Sequence, residues 1–353
     1  MYPVTHRTGC RGEGMRLEDW EGRSWERVED DTIRCLVCPR RCTIPEGERG
    51  FCRVRENDGG VLKLLTHGRA SSAVPDPIEK KPLFHYKPGT DVFSLGTVGC
   101  NFRCRHCQNW QISQAGPDEV PLEDWSADRV VKGAKRTGCE SVAFTYNEPI
   151  INLEYTIEVF ERCRDEDLGC VYVTNGFATK STARLLGEVL DAANVDLKAF
   201  TEEFYKDVAK GELKPVLRTC KVWKKMGVHV ELTTLVIPGH NDSEEEAREI
   251  ARWIRKELGP ETPWHVSRFH PDYKMLDKPP TPVDTIERFV EIGYEEGLYY
   301  VYAGNVPGHK YEHTYCPECK RPVVKRRGFA VTEMHVTDDF HCEYCDAELH
   351  FVT

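Results

Sequence analysis

From Asp91 to about Asn305 the spacing of apolar residues switches repeatedly between a period of two and a period near 3.6. The segments DVFSLGTVG, SVAFTY, CVYVTN, AANVDLKAF, VHVELTTLVIPG, PWHVSRFH and LYYVYAGN read as strands. Helices are predicted near 127–136, 153–165, 180–190, 216–226, 244–258 and 282–296. Ser243 before Glu244, Glu245 and Glu246 is a helix start, with a capping oxygen followed by negative charge at the positive end of the helix. Such alternation implies an α/β fold with a parallel sheet and right-handed crossovers, either a barrel or a doubly wound sheet.

The flanks lack this rhythm. Residues 1–90 contain many turn formers, including IPEGERG and the PDP of 75–77, and residues 306–353 hold two cysteine knuckles and a basic KRPVVKRR stretch. The expected organisation is therefore three regions: 1–90, 91–305 and 306–353.

The chain has 353 residues, 58 acidic and 48 basic, for a net charge of -10. That length is ample for a buried core. The negative balance argues against non-specific binding to nucleic acid or an anionic membrane, since both rely on excess Lys and Arg. No apolar run approaches the ~20 residues of a membrane helix. The opening MYPVTHRTGCRGEGMRLEDW lacks a signal-peptide core, so the expectation is a soluble, cytoplasmic protein.

Cysteine changes the picture most, because the chain has 16 of them. Chance would give a C-x2-C pair about 0.7 times, yet four occur: Cys35/Cys38, Cys104/Cys107, Cys316/Cys319 and Cys342/Cys345. In a reducing compartment this clustering reads as metal ligation rather than disulfides.

At the carboxyl end of the first strand of the alternating region lies Cys100-x3-Cys104-x2-Cys107, in GTVGCNFRCRHCQNW. Three thiolates on one short loop can hold three corners of a [4Fe-4S] cube and leave the fourth iron open, whereas electron carriers use four thiolates. Strand carboxyl ends are also where α/β folds bind ligands. The competing reading is a zinc site completed by His106, which lies too close in the same loop to close a tetrahedron comfortably.

GCNFRCRHCQNWQIS resembles the signature of the radical S-adenosylmethionine (SAM) superfamily. Within it, the chain resembles the AmmeMemoRadiSam system radical SAM enzymes, relatives of the pyruvate formate-lyase activating enzymes. The likeness runs roughly from Cys35 to Val352. It implies a partial (β/α)6 TIM-like barrel whose open iron chelates the amino and carboxylate groups of SAM. An electron from the reduced cluster would then cleave the sulfonium to methionine and a 5′-deoxyadenosyl radical, which abstracts hydrogen from a substrate. A low-potential electron donor of flavodoxin or ferredoxin type is implied, together with MEMO-type protein partners.

The resemblance also implies cofactor-binding residues at successive strand ends. TYNEP, residues 145–149, is similar to the superfamily's GGE element, with Tyr146 and Asn147 where two glycines are expected; Asn147 offers a side-chain amide or an unusual backbone conformation, and Glu148 can accept from an ammonium. Asn175, in Thr174-Asn175-Gly176, is placed for a ribose hydroxyl or the SAM carboxylate. Asp196 and Lys198 match the activating enzymes' DLK element, and residues i and i+2 of a strand face one side. His270, in SRFHP, resembles a late barrel histidine that contacts SAM. Gln108 and Asn109 are expected to line the cluster loop, and His106 stands where an aromatic usually meets adenine.

Two further cysteine groups flank the barrel region. Cys35-x2-Cys38-x3-Cys42-x9-Cys52 offers four thiolates for zinc or for an auxiliary iron-sulfur cluster, with zinc slightly favoured. Cys316, Cys319, Cys342 and Cys345 have the spacing of a four-cysteine zinc ribbon. Cys10, Cys139, Cys163, Cys170 and Cys220 are scattered singly and read as buried apolar thiols. Against modification of an unidentified substrate stand two other readings, activation of a glycyl-radical enzyme and a non-enzymatic metal scaffold or electron carrier. Only 37 residues separate Cys107 from Thr145, leaving no room for the ferredoxin-like insert that some activating enzymes carry.

Overall fold

The computed structural model describes residues 15–29 and 31–353. Its centre is an eight-stranded sheet built from β1 (Ser72–Pro77), β2 (Asp91–Gly96), β3 (Ser141–Phe144), β4 (Gly169–Thr174), β5 (Ala192–Asp196), β6 (His229–Val236), β7 (Trp264–Arg268) and β8 (Val301–Gly304). The strands lie in sequential order; β2 to β8 pair in parallel and β1 pairs antiparallel with β2 at the edge. Six crossover helices join the parallel strands: α1 (Ala127–Thr137), α2 (Leu153–Arg164), α3 (Lys180–Gly187), α4 (Leu213–Lys225), α5 (Glu244–Glu257) and α6 (Val283–Glu295). The result is an α/β fold with a mostly parallel sheet, open between β1 and β8 in the manner of a partial barrel.

The alternation along each strand explains which way the sheet faces. Phe93 of β2 meets Gly133 of α1, Tyr172 of β4 meets Trp223 of α4, and Trp264 of β7 meets Gly293 of α6, so one face carries the apolar core against the helices. The intervening residues include Asn194, Asp196, Glu231, Thr233, His265 and Tyr302, which give the inner face an unusually polar character. The predicted cap forms, with Ser243 Oγ accepting from the Glu246 amide at 3.3 Å.

One element differs from the sequence expectation. The PDP of 75–77, read as a turn, lies inside β1. A proline is tolerated there because an edge strand has one side free of ladder partners. The segment that follows, 78–86, fills the amino-terminal end of the inner face. The Phe84 and His85 amides donate to the Glu231 carboxylate at 3.0 and 2.7 Å, and Asn194 Nδ2 donates to the Pro82 carbonyl at 2.7 Å. Glu231 also meets His265 at 2.6 Å and His229 at 3.0 Å, which accounts for a carboxylate buried in the barrel.

The carboxy-terminal region docks on the same segment. Its three-stranded antiparallel sheet comprises Thr314–Tyr315, Pro322–Arg327 and Ala330–Met334. Arg326 donates to the Phe84 carbonyl at 3.0 Å and pairs with Glu79 at 3.6 Å, while backbone bonds join Val352 to His85 and Lys87. Among the described residues no helix is long and apolar enough to cross a membrane.

Candidate active site

The loop after β2 carries Cys100, Cys104 and Cys107 to the carboxyl end of the sheet. Its path is set first by glycine. Gly99 has φ +83°, and a Cβ there would lie 2.4 Å from the Cys52 carbonyl. Asn147 then clamps the loop, accepting from the Thr97 amide and donating to Thr97 Oγ1 and the Gly99 carbonyl, each at 2.9 Å. One turn of π-helix at Tyr205–Ala209 supplies the opposite wall, where the Val208 and Ala209 carbonyls accept from the Arg105 and Arg103 amides at 3.1 and 3.0 Å. Phe102 packs onto Gly211, whose hydrogen leaves room that a methyl group would occupy, since a Cβ would meet the ring at 2.1 Å.

The sulfurs have partners suited to anionic ligands. The Phe102 amide points at Cys100 Sγ at 3.3 Å, Asn175 Nδ2 at the same sulfur at 3.8 Å, and Ser113 Oγ lies 3.1 Å from Cys107 Sγ. Burial pushes the Cys104 thiol up to about 12, so a metal bound through this sulfur has to displace its proton. Among the described residues, the group of three or more metal-ligating atoms lying within 4.8 Å of one another is in the carboxy-terminal region, not here. A loose triad on one loop fits a multi-iron cluster better than a single ion, whose thiolates must crowd to about 3.8 Å from one another around a ~2.3 Å bond.

Around this loop the structure gathers several of the residues named from sequence. Asn175 Nδ2 donates to Asn101 Oδ1 at 2.8 Å, which ties the β4 end to the cluster loop. Lys198 Nζ meets Asp196 Oδ2 at 2.9 Å, at the end of β5. Burial works against the Lys198 ammonium, but Asp196 and the Cys104 sulfur outweigh it and hold its proton more tightly than usual. Glu148 is buried, accepting from Thr174 Oγ1 at 2.6 Å and from the Asn175 and Ile150 amides at 2.8 and 2.9 Å. Burial nevertheless pushes its carboxyl up to about 7. His106 is buried beside Phe204; burial and the nearby Lys198 and His240 bring it down to about 3, so the ring is neutral, and its Nδ1 has no partner.

Other named residues lie further out or are already engaged. Gln108 and His270 are exposed and pair with each other at 2.9 Å on the rim. Asn109 donates to the Tyr146 carbonyl at 2.8 Å, and the Asn147 side chain is fully occupied in the clamp. Tyr146 rather than Asn147 takes the left-handed backbone, with φ 72°. Sequence reasoning missed Asn101, Ser113 and the π-turn. Asn101 sits inside the cysteine motif and was open to notice; the other two are joined to the sulfurs only by the fold.

The flanking groups have different shapes. Cys316 Sγ lies 3.6 Å from Cys345 Sγ and Cys319 Sγ 3.8 Å from Cys342 Sγ, a set of four that can hold a metal ion. Cys35, Cys38, Cys42 and Cys52 line a common pocket next to Asn101. Cys139, Cys163, Cys170 and Cys220 are buried as expected, and Cys10 lies outside the described residues.

The Radical SAM superfamily profile matches residues 94–254, from β2 into α5. The chain is 45% identical over 333 residues to the uncharacterized protein MJ0808 of Methanocaldococcus jannaschii, covering 94% of this chain and 99% of that one. It is 25% identical over 206 residues to the pyruvate formate-lyase 1-activating enzyme of Escherichia coli, covering 54% of this chain and 83% of the relative. A solved domain of a pyruvate-formate lyase-activating enzyme from Bacteroides vulgatus aligns with a TM-score of 0.42 at 16% identity, over 47% of this chain and 99% of that one. The cysteine loop at the sheet's carboxyl end, the profile match and the sequence relatives lead to one conclusion: the chain belongs to the radical SAM superfamily and is a radical SAM enzyme, a class that works with a [4Fe-4S] cluster, SAM and an electron donor.

Proposed function

We propose that Cys100, Cys104 and Cys107 hold the catalytic [4Fe-4S] cluster and that the neighbouring strand ends bind SAM for hydrogen abstraction from a substrate other than a glycyl-radical enzyme. The observation that carries this reading is the Asp196–Lys198 pair beside Cys104 at the mouth of the barrel. When bound, the cluster supplies the electron that cleaves the SAM sulfonium to methionine and a 5′-deoxyadenosyl radical.

The chain's own residues divide the binding work. Asp196 and Lys198 present one anion and one cation to a ligand that carries both charges. Asn175 orients the loop through Asn101, and Glu148 keeps an acceptor position beyond the three bonds it accepts. Neutral His106 offers an apolar ring face for adenine, while Gln108 and His270 close the rim. Asn147 acts by holding the loop. MEMO-type proteins are the proposed partners and a flavodoxin or ferredoxin the proposed donor. The carboxy-terminal four cysteines form a zinc ribbon that fastens this region to segment 78–86.

In the test, anaerobically reconstituted protein is given SAM and a low-potential reductant, and 5′-deoxyadenosine is measured. Asp196→Asn and Lys198→Met should each raise the SAM concentration needed for half-maximal turnover by at least about tenfold, with iron content unchanged. Unaltered SAM dependence in both variants would overturn this placement of SAM. A second reading, activation of a glycyl-radical enzyme, is favoured by the 25% identity to the E. coli activating enzyme. A glycyl radical signal in a co-expressed candidate protein would select it.

A further inference from the structure

The amino-terminal cysteines are drawn together from two stretches of chain. Cys35 ends the strand Thr32–Cys35, and its amide donates to the Cys42 carbonyl at 2.9 Å, closing a tight loop that includes Cys38. Cys52 comes from a later turn in which the Arg53 amide donates to the Gly50 carbonyl at 2.8 Å. All four line one pocket, together with Arg55 and Asn101.

We propose that Cys35, Cys38, Cys42 and Cys52 bind a second [4Fe-4S] cluster, fully ligated by protein, directly behind the catalytic loop. The proposal rests on reading Cys100, Cys104 and Cys107 as a cluster site, because that triad calibrates the spacing. Both groups belong to the same class of arrangement: in neither do three sulfurs fall within 4.8 Å of one another, as the four carboxy-terminal sulfurs do. A single zinc ion draws four thiolates to about 3.8 Å from one another and needs no cavity, because its bonds are only ~2.3 Å long. Four thiolates that line one pocket without crowding in that way match the corners of an iron-sulfur cube instead.

A second observation points into the same pocket. Arg55 is 1% exposed and forms a two-pronged pair with Glu154, at 2.8 and 2.5 Å, through its two terminal nitrogens. Its remaining donor, Nε, is buried with no partner. An unpaired buried N–H is costly, and the sulfur of an anionic cluster is the acceptor this position lacks. Arg40 adds a second cation at the pocket, held by the Asn101 carbonyl at 2.6 Å and lying 3.5 Å from the centre of the Phe51 ring.

The pocket also touches the catalytic loop. The Cys52 carbonyl presses on Gly99, next to Cys100, and Arg103 donates to the Phe51 carbonyl. Asn101 belongs to both sites, lining the pocket while accepting from Asn175. With four protein ligands the second cluster has no open iron, so SAM does not bind it.

The experiment reconstitutes the full chain with iron and sulfide under anaerobic conditions, then measures iron, sulfide and zinc per chain with Mössbauer and EPR spectra. Wild type should hold about eight irons, since each cube contributes four. The Cys100→Ala/Cys104→Ala/Cys107→Ala variant should retain half the iron, as a [4Fe-4S] cluster whose reduced EPR signal is unchanged by SAM. Cys38→Ala/Cys42→Ala should also lose half, and its remaining signal should respond to SAM. A triple variant without iron, or wild type with two zinc ions and one cluster, would overturn the proposal. If the double variant does not fold, the wild-type count and the triple variant still decide. A triple variant that keeps its cluster while the double variant ignores SAM would sink the catalytic assignment and leave the second cluster standing.

Discussion

At one end of the molecule, Cys316, Cys319, Cys342 and Cys345 bring their sulfurs within 4.8 Å of one another; at the other, Cys35, Cys38, Cys42 and Cys52 surround a pocket. The donors are the same and both groups contain a C-x2-C knuckle, so ligand identity does not separate them. The walls do. The carboxy-terminal thiols sit in a small core of their own, with Val323, Val324, Leu349 and Phe351. The amino-terminal thiols are faced by Ile151 and Asn101 from the barrel and by Arg55, whose partner Glu154 lies on α2. What a thiol set can hold therefore depends on which other elements reach between the sulfurs, a property of tertiary structure.

The largest expected effect comes from the collapsed group. On the proposal that this group holds zinc, removing the ion by chelation, or by Cys342→Ala/Cys345→Ala, takes away binding energy of about 10 kcal/mol from a region with only a small core. Limited proteolysis should then cut within 314–353 much faster, while iron content stays the same. Unchanged proteolysis would show that the Arg326 docking contacts suffice without metal.

The open pocket is sharpened next by Arg55→Met. This change leaves Glu154 buried without a cation and is expected to cost about 3–5 kcal/mol in urea unfolding. A double Arg55→Met/Glu154→Leu variant should recover most of that loss but still hold its iron less tightly. Equal iron retention in the double variant and wild type would mean that the arginine does nothing for the pocket.

Another tie between the amino-terminal region and the barrel is a cluster of charged groups. Asp76 accepts from Lys80 and Lys81 at 2.7 Å and from the Tyr146 hydroxyl. Burial opposes its charge, but these hydrogen bonds win and hold its carboxyl well below the ordinary 3.8. The carboxyl's folded value is depressed, so its contribution is complete above about pH 4 and is lost as pH falls through the lower folded value. Asp76→Asn should therefore cost about 2 kcal/mol near neutral pH, and the gap from wild type should narrow below pH 4 in denaturation curves. A gap that did not change with pH would assign the loss to packing. Smallest is Cys220→Ala, expected to cost about 1 kcal/mol from lost burial with metal content unchanged; Cys220 is fully buried in α4.

Much of the barrel was legible because its signals are local. Helix caps, the period-two strands and the motif Cys100-x3-Cys104-x2-Cys107 lie within a few residues of one another. β1 was hidden because Pro75 and Pro77 look like turn residues unless the strand is known to be an edge. Glu231, with its two histidines and two amides, joins residues up to 147 positions apart and left no local mark. The same limit applies at the site. Asp196 and Lys198 were paired by strand period, whereas the use of Asn147 as a clamp depended on Thr97 and Gly99 from another strand end.

The central claim is that the Cys100, Cys104 and Cys107 cluster presents an open iron to SAM. The most direct measurement is the EPR spectrum of the reduced protein with and without SAM, paired with 5′-deoxyadenosine formation, in wild type and Cys104→Ala. The account predicts a SAM-dependent spectral change and product formation in wild type, and neither in the variant. Turnover surviving in Cys104→Ala, or a wild-type spectrum unaffected by SAM, would contradict it.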